Sequence, residues 1–467
     1  MNNEKNQIGI IGLAAMGANL AMNFADRGFR TAVFNRSPER TEALIGEYGS
    51  GKGLDPTYTI ETFVASLARP RKIILMVQAG EAVDRVIDSL RPLVDQGDII
   101  VDGGNSFFRD TIRRETSLRQ ASIEFVGLGV SGGEEGARRG PSLMFGGSEA
   151  AWEALSPYLR AIAAKDFSGE PCVARLGEGG AGHYVKMVHN GIEYSDMQLI
   201  AESYSLMKDA LRYPNDAIAD RFRLWNEGRL ESFLIEISER IFRAKEHDGG
   251  YVVDRILDSA GSKGTGKWTA EESLELGEPS FSLAASVFAR YASAAKERRV
   301  RIAEAYPKHA PEKIAFDADD IERALYAAKL LSYAQGYALL AEASKTYGWD
   351  LDFAEISRIW QGGCIIRARF LTDMEQLFRE HPEGSDMLLS DGVRETLGAD
   401  LPALRVIVSE ATLAGIALPG LSSSLSYFDS MSSALLPANL IQAQRDLFGA
   451  HTFRRTEGGP AEHFDWQ

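Results

Sequence analysis

The densest group of reactive side chains in the chain lies between residues 186 and 194. On a helix, the spacing i, i+3, i+4, i+7 and i+8 places five of them on one polar face about 100° wide, namely Lys186, His189, Asn190, Glu193 and Tyr194. In a cleft, loss of hydration lowers the pKa of a lysine, which can then act as a base, and raises the pKa of a glutamate, which can then act as an acid. We therefore interpret this face as the lining of a catalytic cleft rather than as a solvated helix surface.

A glycine-rich turn near the N-terminus has the pattern of a dinucleotide-binding fingerprint. Gly12, Ala14 and Gly17 follow a short apolar strand and precede a helical segment. Gly12 permits a tight turn, Ala14 stays small beside a pyrophosphate, and Gly17 lets the helix and the strand pack closely. The helix N-terminus would face the phosphates. The turn therefore predicts nucleotide binding rather than a purely structural role.

The end of the second predicted strand indicates which dinucleotide is bound. An NAD site carries an acidic residue about 20 positions after the glycines, where it holds the ribose 2′-hydroxyl. Here the strand ends in Asn35, Arg36 and Ser37. An arginine can pair with a 2′-phosphate, and without the carboxylate nothing repels that phosphate. NADP is thus the predicted cofactor, and a solvated loop arginine is the alternative.

Two further loops are rich in small residues. Residues 130–136 follow a strand, at the sheet edge where ligands of such folds bind. Residues 261–267 imitate a Walker A loop, but Trp268 stands where Ser or Thr must bind magnesium, and no strand is predicted before them. We therefore reject an ATPase and interpret Lys263 and Thr265 as candidates for holding a substrate phosphate.

The segments around these residues predict two structural units. Residues 1–175 alternate helical segments with strands rich in Ile and Val, at Ile8–Gly12, Thr31–Phe34, Lys72–Val77, Ile99–Asp102 and Glu124–Val130. This alternation indicates an α/β Rossmann-like domain, in which helices cover both faces of a parallel sheet. Strand-like runs become scarce after Gly182. One long helix from about His183 to about Lys208 is free of proline and opens a large all-α domain.

The helical half contains an internal repeat. Three segments recur in the same order about 140 residues later: Leu199–Ser203 as Leu339–Ala343, Trp225–Gly228 as Trp360–Gly363, and Phe233-Leu234 as Phe370-Leu371. A chance likeness between alanine-rich helices is the alternative to the duplicated helical unit that we favour. The predicted domains are residues 1–179 for NADP, 180–438 for dimerisation and substrate, and 439–467 as a C-terminal tail.

Composition restricts the class of protein. The 467 residues are 45% hydrophobic and 25% charged, which is typical of a globular chain of two or three domains. A net charge of −15 argues against a nucleic-acid-binding surface, and no stretch has the roughly 18 apolar residues that span a bilayer. Cys172 and Cys364 stand far apart, which argues against a disulfide framework or a cysteine metal cluster and indicates a reducing, cytoplasmic setting.

Seven segments resemble the family of decarboxylating 6-phosphogluconate dehydrogenases: IGIIGLAAMGANLAMN, FNRS, VDGGNS, GVSGGEEGARRGPSLM, GAGHYVKMVHNGIEYSDMQLIAE, GTGKWT and NLIQAQRDLFGAHTF. They occur in order along nearly the whole chain, and the fifth, from Gly180 to Glu202, is highly specific. The resemblance implies oxidative decarboxylation of 6-phospho-D-gluconate to D-ribulose 5-phosphate and CO2 with reduction of NADP, in the oxidative branch of the pentose phosphate pathway and in gluconate utilization. It also implies a homodimer with shared active sites and no requirement for a metal.

The resemblance further implies roles for single residues. Lys186 is the base that accepts the proton of the 3-hydroxyl, and Glu193 is the acid that protonates carbon 1 of the enediol. The residues implied to bind substrate are Asn105, Ser131, Gly132, Gly133, His189, Asn190, Tyr194, Lys263, Thr265 and Arg290, with Arg445 and His451 of the partner subunit. Those implied to bind NADP are Gly12, Ala14, Met16, Gly17, Asn35, Arg36, Ser37, Val77, Gln78, Ala79 and Asn105. Gln78 departs from the family, where lysine is common.

Two other functions stay open as alternatives. A related β-hydroxyacid dehydrogenase would act on a smaller acid such as 3-hydroxyisobutyrate, but such chains are much shorter and lack the repeat, the GTGKWT loop and the basic tail residues. A catalytically silent NADP-binding protein could use the same fold. The presence of both Lys186 and Glu193 argues against that second alternative.

Overall fold

The structure is a computed structural model that describes residues 5–49, 51–262, 264–306, 314–382 and 386–466. Its N-terminal part contains one sheet, whose strands are β1 (Ile8–Ile11), β2 (Thr31–Phe34), β3 (Leu54–Thr57), β4 (Lys72–Leu75), β5 (Ile99–Asp102), β6 (Glu124–Ser131), β7 (Ser142–Gly146) and β8 (Val173–Gly177). The helices between them are α1 (Ala15–Asp26), α2 (Pro38–Tyr48), α3 (Ile60–Ser66), α4 (Glu81–Leu90), α5 (Phe108–Arg119), α6 (Gly133–Arg139) and α7 (Glu149–Ile162).

The strand order is β3-β2-β1-β4-β5-β6-β7-β8. All five predicted strands are confirmed, and they pair in parallel with one another as predicted, whereas the additional strand β7 runs antiparallel to β6 and β8 runs parallel to β7. The sequence patterns also missed β3, β7 and β8. Strand β3 contains Pro56, which an edge strand tolerates because one side of it needs no ladder hydrogen bonds.

Helices cover both faces of the sheet, as predicted. Alternate residues of each central strand belong to two separate apolar clusters, so that Ile10 packs with Phe24 on one face, whereas Ile11 packs with Phe63 on the other. The carboxyl ends of β1, β4 and β5 remain at one edge of this layer. The loops that follow these three strands are therefore neighbours.

The C-terminal part of the chain is helical. Its helices are α8 (Ala181–Ser205), α9 (Asn215–Asn226), α10 (Phe233–Arg243), α11 (Thr265–Leu276), α12 (Phe281–Ala294), α13 (Lys296–Ala305), α14 (Ala318–Tyr347), α15 (Phe353–Ile359), α16 (Leu371–Glu380), α17 (Asp391–Leu413), α18 (Pro419–Met431) and α19 (Ala438–Gly449). The predicted long helix is confirmed as α8, which continues into a π-helical turn at Leu206–Ala210. None of the described helices is both long and apolar enough to cross a membrane.

The predicted repeat corresponds to two equivalent runs of helices. The 25-residue helix α8 is followed by the shorter α9 and α10, and the 30-residue helix α14 is followed by the shorter α15 and α16. The two runs meet just before α10 and α16, where Phe233 N donates to Arg367 O and Arg369 N donates to Glu231 O, each at 2.9 Å. The two segments thus pair at equivalent positions, as expected for a duplicated unit.

A buried ion pair holds the two long helices together. Lys329 on α14 donates to Asp196 on α8, and both side chains are at most 3% exposed. Next to this pair, the hydroxyls of Ser195 and Ser332 lie 2.8 Å apart. Since a buried charge is costly without its partner, this pair favours a single register of α14 against α8. Helix α8 also carries the reactive residues.

Candidate active site

The edge formed by β1, β4 and β5 has the geometry of a dinucleotide site. Gly12 has φ +98°, and a Cβ there would lie 2.5 Å from Met76 O, so the turn requires glycine. A Cβ on Gly17 would lie 1.9 Å from Gly12 O. Helix α1 begins after the exposed Ala14 without a side-chain cap, which leaves its first amide groups available for a phosphate. Met16 lies half-buried in this first turn.

Asn35 joins the end of β2 to this turn. Its Oδ1 accepts a hydrogen bond of 3.0 Å from Leu13 N, and its Nδ2 donates to Ser37 O at 3.1 Å. Arg36 stands between Asn35 and Ser37 in the sequence, and both Arg36 and Ser37 are exposed. The predicted residues for the 2′-phosphate therefore stand at the same sheet edge as the predicted pyrophosphate site.

The loops after β4 and β5 complete this edge. Val77 follows β4 close to Gly12, where a Cβ on Gly12 would lie 3.0 Å from Val77 Cγ1. Gln78 is exposed and Ala79 is half-buried beside it. After β5, the buried Asp102 accepts hydrogen bonds from Gly104 N at 3.1 Å and from Ser106 Oγ at 2.7 Å. Asp102 thereby holds the loop that exposes Asn105.

On α8, Lys186 is the centre of a buried polar cluster. Its Nζ donates to Asn190 Oδ1 at 2.8 Å and to Ser131 Oγ at 3.0 Å, and it lies 3.3 Å from His189 Nδ1. His189 Nε2 lies 3.2 Å from the same Ser131 hydroxyl. Lys186, His189 and Asn190 are each at most 7% exposed. The predicted polar face is therefore a lined interior rather than a solvated surface.

Burial determines the protonation of this cluster. It lowers the pKa of Lys186 from its usual value near 10.5, although the negative charge of Glu193 offsets part of the effect. Burial and the neighbouring charge of Lys186 lower the pKa of His189 well below 6.5, so the imidazole is neutral. The lysine thus has neutral hydrogen-bond partners and a lowered pKa, which are the conditions for a general base.

Glu193 lies two helical turns beyond Lys186, about 10.5 Å along the axis of α8. Its side chain is 21% exposed, and its Oε2 lies 3.8 Å from His189 Nδ1. Because His189 is neutral, this contact is not an ion pair. The carboxylate therefore stands at the more open end of the cluster, where it can reach a bound molecule.

The loop after β6 lies against Lys186 on one side and against the second repeat on the other. Ser131 ends β6 at 2% exposure, and Gly132 and Gly133 follow it with φ of +118° and +62°. A Cβ on Gly132 would lie 2.4 Å from Gly363 O, so the loop requires glycine where it meets the segment after α15. The ring of Trp360, from the same segment, packs edge-on against His189 at 5.7 Å.

A second cluster lies further along α8. The guanidinium carbon of Arg290 lies 3.5 Å from the centre of the Tyr194 ring, and Arg290 Nη1 donates to Gly261 O at 3.2 Å. Thr265 begins α11 with its side chain buried, and the next residue, Gly266, lies against Tyr194, since a Cβ there would be 2.6 Å from Tyr194 Cδ2. These three predicted residues thus lie close together beside the start of α11. Lys263, the fourth, lies outside the described residues.

The structure does not bring the predicted tail residues into either cluster of the same chain. Arg445 on α19 is exposed and donates to Gln442 Oε1 at 3.1 Å. His451 follows α19 and packs edge-on against the ring of Phe448 at 5.9 Å. Both residues are exposed on the tail.

His183 is a residue of this region that the sequence patterns did not single out. It stands one helical turn before Lys186, is 2% exposed, and shares a hydrogen bond of 2.7 Å with Thr111 on α5. It thus connects α8 to the helix that follows the Asn105 loop. The i−3 spacing from Lys186 on the same helix face could have identified it.

The coenzyme edge and the buried lysine on the following helix define a dinucleotide-dependent dehydrogenase. Among the described residues, no three His, Cys, Asp or Glu side chains are arranged to hold a metal ion. Residues 7–177 match the profile of the NAD binding domain of 6-phosphogluconate dehydrogenase, and residues 182–466 match that of the 6-phosphogluconate dehydrogenase C-terminal domain. The chain belongs to the 6-phosphogluconate dehydrogenase family.

Full-length relatives agree with this assignment. The decarboxylating 6-phosphogluconate dehydrogenase of Escherichia coli K12 is 50% identical over 467 residues, with 99% of each chain covered. That of Citrobacter amalonaticus is 52% identical over 447 residues, which is 95% of this chain and 100% of the relative. Plasmodium falciparum 6-phosphogluconate dehydrogenase, solved in apo form and in complexes with NADP+ and with 6-phosphogluconate, superposes with a TM-score of 0.94 at 42% identity, covering 98% and 100% of the two chains.

Proposed function

We propose that the protein oxidises and decarboxylates 6-phospho-D-gluconate with NADP, to give D-ribulose 5-phosphate, CO2 and NADPH. The observation that carries the proposal is the buried Lys186 with its lowered pKa and neutral partners, next to the Ser131 loop. The full-length likeness to decarboxylating 6-phosphogluconate dehydrogenases supports both the substrate and the reaction. In the pentose phosphate pathway, this is the oxidative step that releases carbon dioxide.

The residues at the sheet edge fit NADP. The open N-terminus of α1 would hold the pyrophosphate, and Arg36, with Asn35 and Ser37, would hold the 2′-phosphate. When bound, NADP supplies an acceptor for the hydride that leaves carbon 3 of the substrate. Asn105, held by the Asp102 loop, would contact both the coenzyme and the substrate.

Lys186 performs the first proton transfer in this proposal. In its neutral form it accepts the proton of the 3-hydroxyl as the C3–H bond breaks, which leaves a 3-keto acid. Ser131 and Asn190 accept hydrogen bonds from the amine and thereby orient it. The lysine, now protonated, is ready to donate to the keto oxygen in the next step.

Decarboxylation needs no further oxidant, because the keto group lies β to the carboxylate. The bond between carbons 1 and 2 breaks, its electron pair moves toward carbon 3, and Lys186 donates its proton to the carbon 3 oxygen, which gives CO2 and an enediol. Glu193, in its protonated form, then donates a proton to carbon 2 of the substrate, which is carbon 1 of the product, while the neutral Lys186 takes back the proton of the carbon 3 hydroxyl and leaves the ketone. One helix face thus carries a base at one end and an acid at the other.

The remaining residues would hold the two ends of the substrate. Ser131, Gly132 and Gly133 would receive its carboxylate, and His189 and Asn190 would orient the carbons between. The cluster of Tyr194, Thr265 and Arg290 would receive the phosphate end, because it combines a cation with hydroxyl donors beyond Glu193 on α8. Lys263 is proposed to join this cluster on the family resemblance.

A coupled assay tests the proposal. NADPH absorbance is followed with 6-phosphogluconate and either coenzyme, while released carbon dioxide and ribulose 5-phosphate are measured in the same reaction. We expect all three products in equal amounts. Binding of NADP without turnover would instead indicate a catalytically silent protein, and NADPH without carbon dioxide would indicate a simple hydroxyacid dehydrogenase.

Arg36→Asp is expected to weaken NADP while sparing or improving NAD. A charge-assisted bond to the 2′-phosphate contributes about 1.5–3 kcal/mol, so the affinity for NADP should fall by about one to two decades. Binding titrations with each coenzyme measure the ratio. Arg27→Asp is the matched control, because Arg27 is an exposed arginine at the opposite end of α1. An unchanged coenzyme ratio in Arg36→Asp would refute the assignment of the 2′-phosphate site.

We also propose that the enzyme is a homodimer in which the tail of each subunit completes the active site of the other. Helix α19 supports this, because the one described residue that it buries is a carboxylate, Asp446, whereas Leu440, Ile441, Leu447 and Phe448 are each about 60–70% exposed. Such an exposed apolar face is typical of a surface that packs against another chain.

We further propose that the chain is divided into a coenzyme domain of residues 1–179, a helical domain of 180–438 and a tail of 439–467. The enzyme lies in the cytoplasm in this proposal, in keeping with its two free cysteines.

Deleting residues 439–467 is expected to raise the KM for 6-phosphogluconate by about 100-fold or more, since it removes both Arg445 and His451. It should also weaken dimerisation, because the apolar face of α19 is lost. Initial rates and sedimentation measure the two effects, and deletion of residues 463–467 alone is a milder comparison. A truncated protein with normal KM that remains a stable dimer would contradict the shared site.

A further inference from the structure

Residues 446–466 form a closed unit around the carboxylate of Asp446. Each of its oxygens accepts two hydrogen bonds. Oδ1 accepts from Thr452 N at 2.9 Å and from His463 Nδ1 at 3.0 Å, and Oδ2 accepts from Phe464 N at 3.0 Å and from Trp466 Nε1 at 2.8 Å. The side chain is fully buried although it lies on a helix whose apolar residues are exposed.

This carboxylate remains ionised. Burial alone would raise the pKa of the Asp446 carboxyl, but the hydrogen bonds from the Phe464 amide, His463, Trp466 and the Thr452 amide outweigh it, and the pKa is lowered. An ionised carboxylate is an acceptor only, which matches four donors. The last residues of the tail are therefore tied back to α19.

The backbone that follows α19 within this unit is strained. Ala450 has φ +48° and Thr452 has φ +58°, so His451 stands between two left-handed residues that are not glycine. Such residues persist only where their surroundings hold them. The hydrogen bond from Thr452 N to Asp446 is one such restraint, and Gly449 leaves room for the imidazole, since a Cβ there would lie 2.8 Å from His451 Cδ2.

The same carboxylate lies next in the chain to one of the two residues that the tail would give to the substrate, and it binds the amide that follows the other. Arg445 precedes Asp446 on α19, and His451 precedes Thr452, whose amide Asp446 binds. We propose that Asp446 is a positioning residue, which fixes Arg445 and His451 as one rigid pair for the phosphate end of the substrate in the partner subunit. This inference rests on the proposed function and on the shared site, and it deepens them.

The ending of the chain supplies three of the four donors to Asp446. The sequence ends in HFDWQ, and the donors that reach Asp446 from it are the His463 ring, the backbone amide of Phe464 and the Trp466 indole. Phe464 contributes its backbone and not its side chain to this contact. Its ring packs against that of Trp466 at 5.1 Å.

The first test is the steady-state kinetics of Asp446→Asn. The amide keeps the size of the side chain but turns one acceptor into a donor that faces other donors. Loss of a bond to a charged group corresponds to about a 10- to 100-fold effect, so we expect the KM for 6-phosphogluconate to rise by that factor while kcat and the KM for NADP change by less than about 3-fold. Glu462→Gln is the matched control, because it removes the same charge from the exposed side of the same tail. Trp466→Phe removes a single donor and serves as a milder variant if Asp446→Asn does not fold.

The second test separates positioning in the partner's site from stabilisation of the subunit's own fold. Hybrid dimers are purified from cells that produce Asp446→Asn and Lys186→Met subunits with different tags. One site of each hybrid then combines an intact Lys186 with the intact tail of the other subunit, so its KM should return to the wild-type value. A hybrid that keeps the raised KM, or an unchanged KM in Asp446→Asn and in Trp466→Phe, would overturn the inference. Failure of the proposed function would appear instead as absence of turnover in the wild-type protein, and failure of the shared site as a monomer.

Discussion

Lys186→Met should lower the rate of hydride transfer by at least about 10²–10⁴-fold, the range expected for loss of a general base. Methionine has a similar length and fills the same space, so the helix should be retained. It cannot accept the proton of the 3-hydroxyl, and the C3–H bond cannot break without that transfer. The rate of NADPH formation in a single turnover measures this step directly.

Lys186→Arg distinguishes a base from a fixed positive charge. Arginine keeps the charge and can donate to Ser131 and Asn190, but its guanidinium does not lose a proton in proteins. We therefore expect Lys186→Arg to be as slow as Lys186→Met. Recovery of the rate in Lys186→Arg would show that only the charge matters. Lys345→Met, at an exposed position near the end of α14, is the control and should leave the rate unchanged.

The direction in which kcat/KM depends on pH follows from the pKa of Lys186. Burial lowers the pKa of Lys186, and only the neutral amine accepts a proton, so kcat/KM should fall as the pH falls through that lowered pKa. His189 does not contribute this limb, because its pKa is lowered well below 6.5. A profile of kcat/KM against pH checks the limb, which the slow Lys186→Arg variant should lack.

Glu193→Gln should reduce overall turnover by about 10²-fold or more and yet leave the first oxidation partly active. The acid is needed only after carbon dioxide has left, when carbon 2 of the substrate must be protonated. Its position about 10.5 Å along the helix from Lys186 lets each residue reach a different carbon. Single-turnover experiments should show early NADPH and carbon dioxide, followed by slow release of ribulose 5-phosphate.

The control for this second prediction is Glu275→Gln, which removes an exposed carboxylate from α11 and should have no effect. Equal loss of hydride transfer in Glu193→Gln and in Lys186→Met would contradict the division of labour. It would show either that Glu193 acts before decarboxylation, or that both residues only shape the pocket.

Local patterns in the sequence were sufficient for much of the fold. Alternation of apolar strands with helical segments predicted five strands of the sheet and the helices on both of its faces. The i, i+3, i+4, i+7 spacing placed Lys186 and Glu193 on one face of α8, because the helical period depends on backbone geometry alone. The repeated segments found in the sequence also correspond, in the same order, to the two runs of helices in the structure.

Strands with weak local signals were missed. Strand β3 contains Asp55 and Pro56 and is stable only because it pairs with β2 at the sheet edge. Strand β7 reverses direction against β6, which depends on how the short helix α6 folds back between them. No periodicity within five residues encodes such a reversal.

The completion of the site was decided by contacts between distant parts of the chain. Ser142 and Ile359 are hydrogen-bonded although 217 positions separate them, and this contact holds the second repeat against the Ser131 loop. The same packing brings Gly363 to Gly132 and Trp360 to His189. A sequence determines by itself what each segment can become, because that depends on neighbours along the chain. Which segments contact each other depends on the packing of all of them together. Only the tertiary structure therefore showed the contact of the Ser131 loop with Lys186, the contact of Arg290 with Tyr194, and the four donors to Asp446.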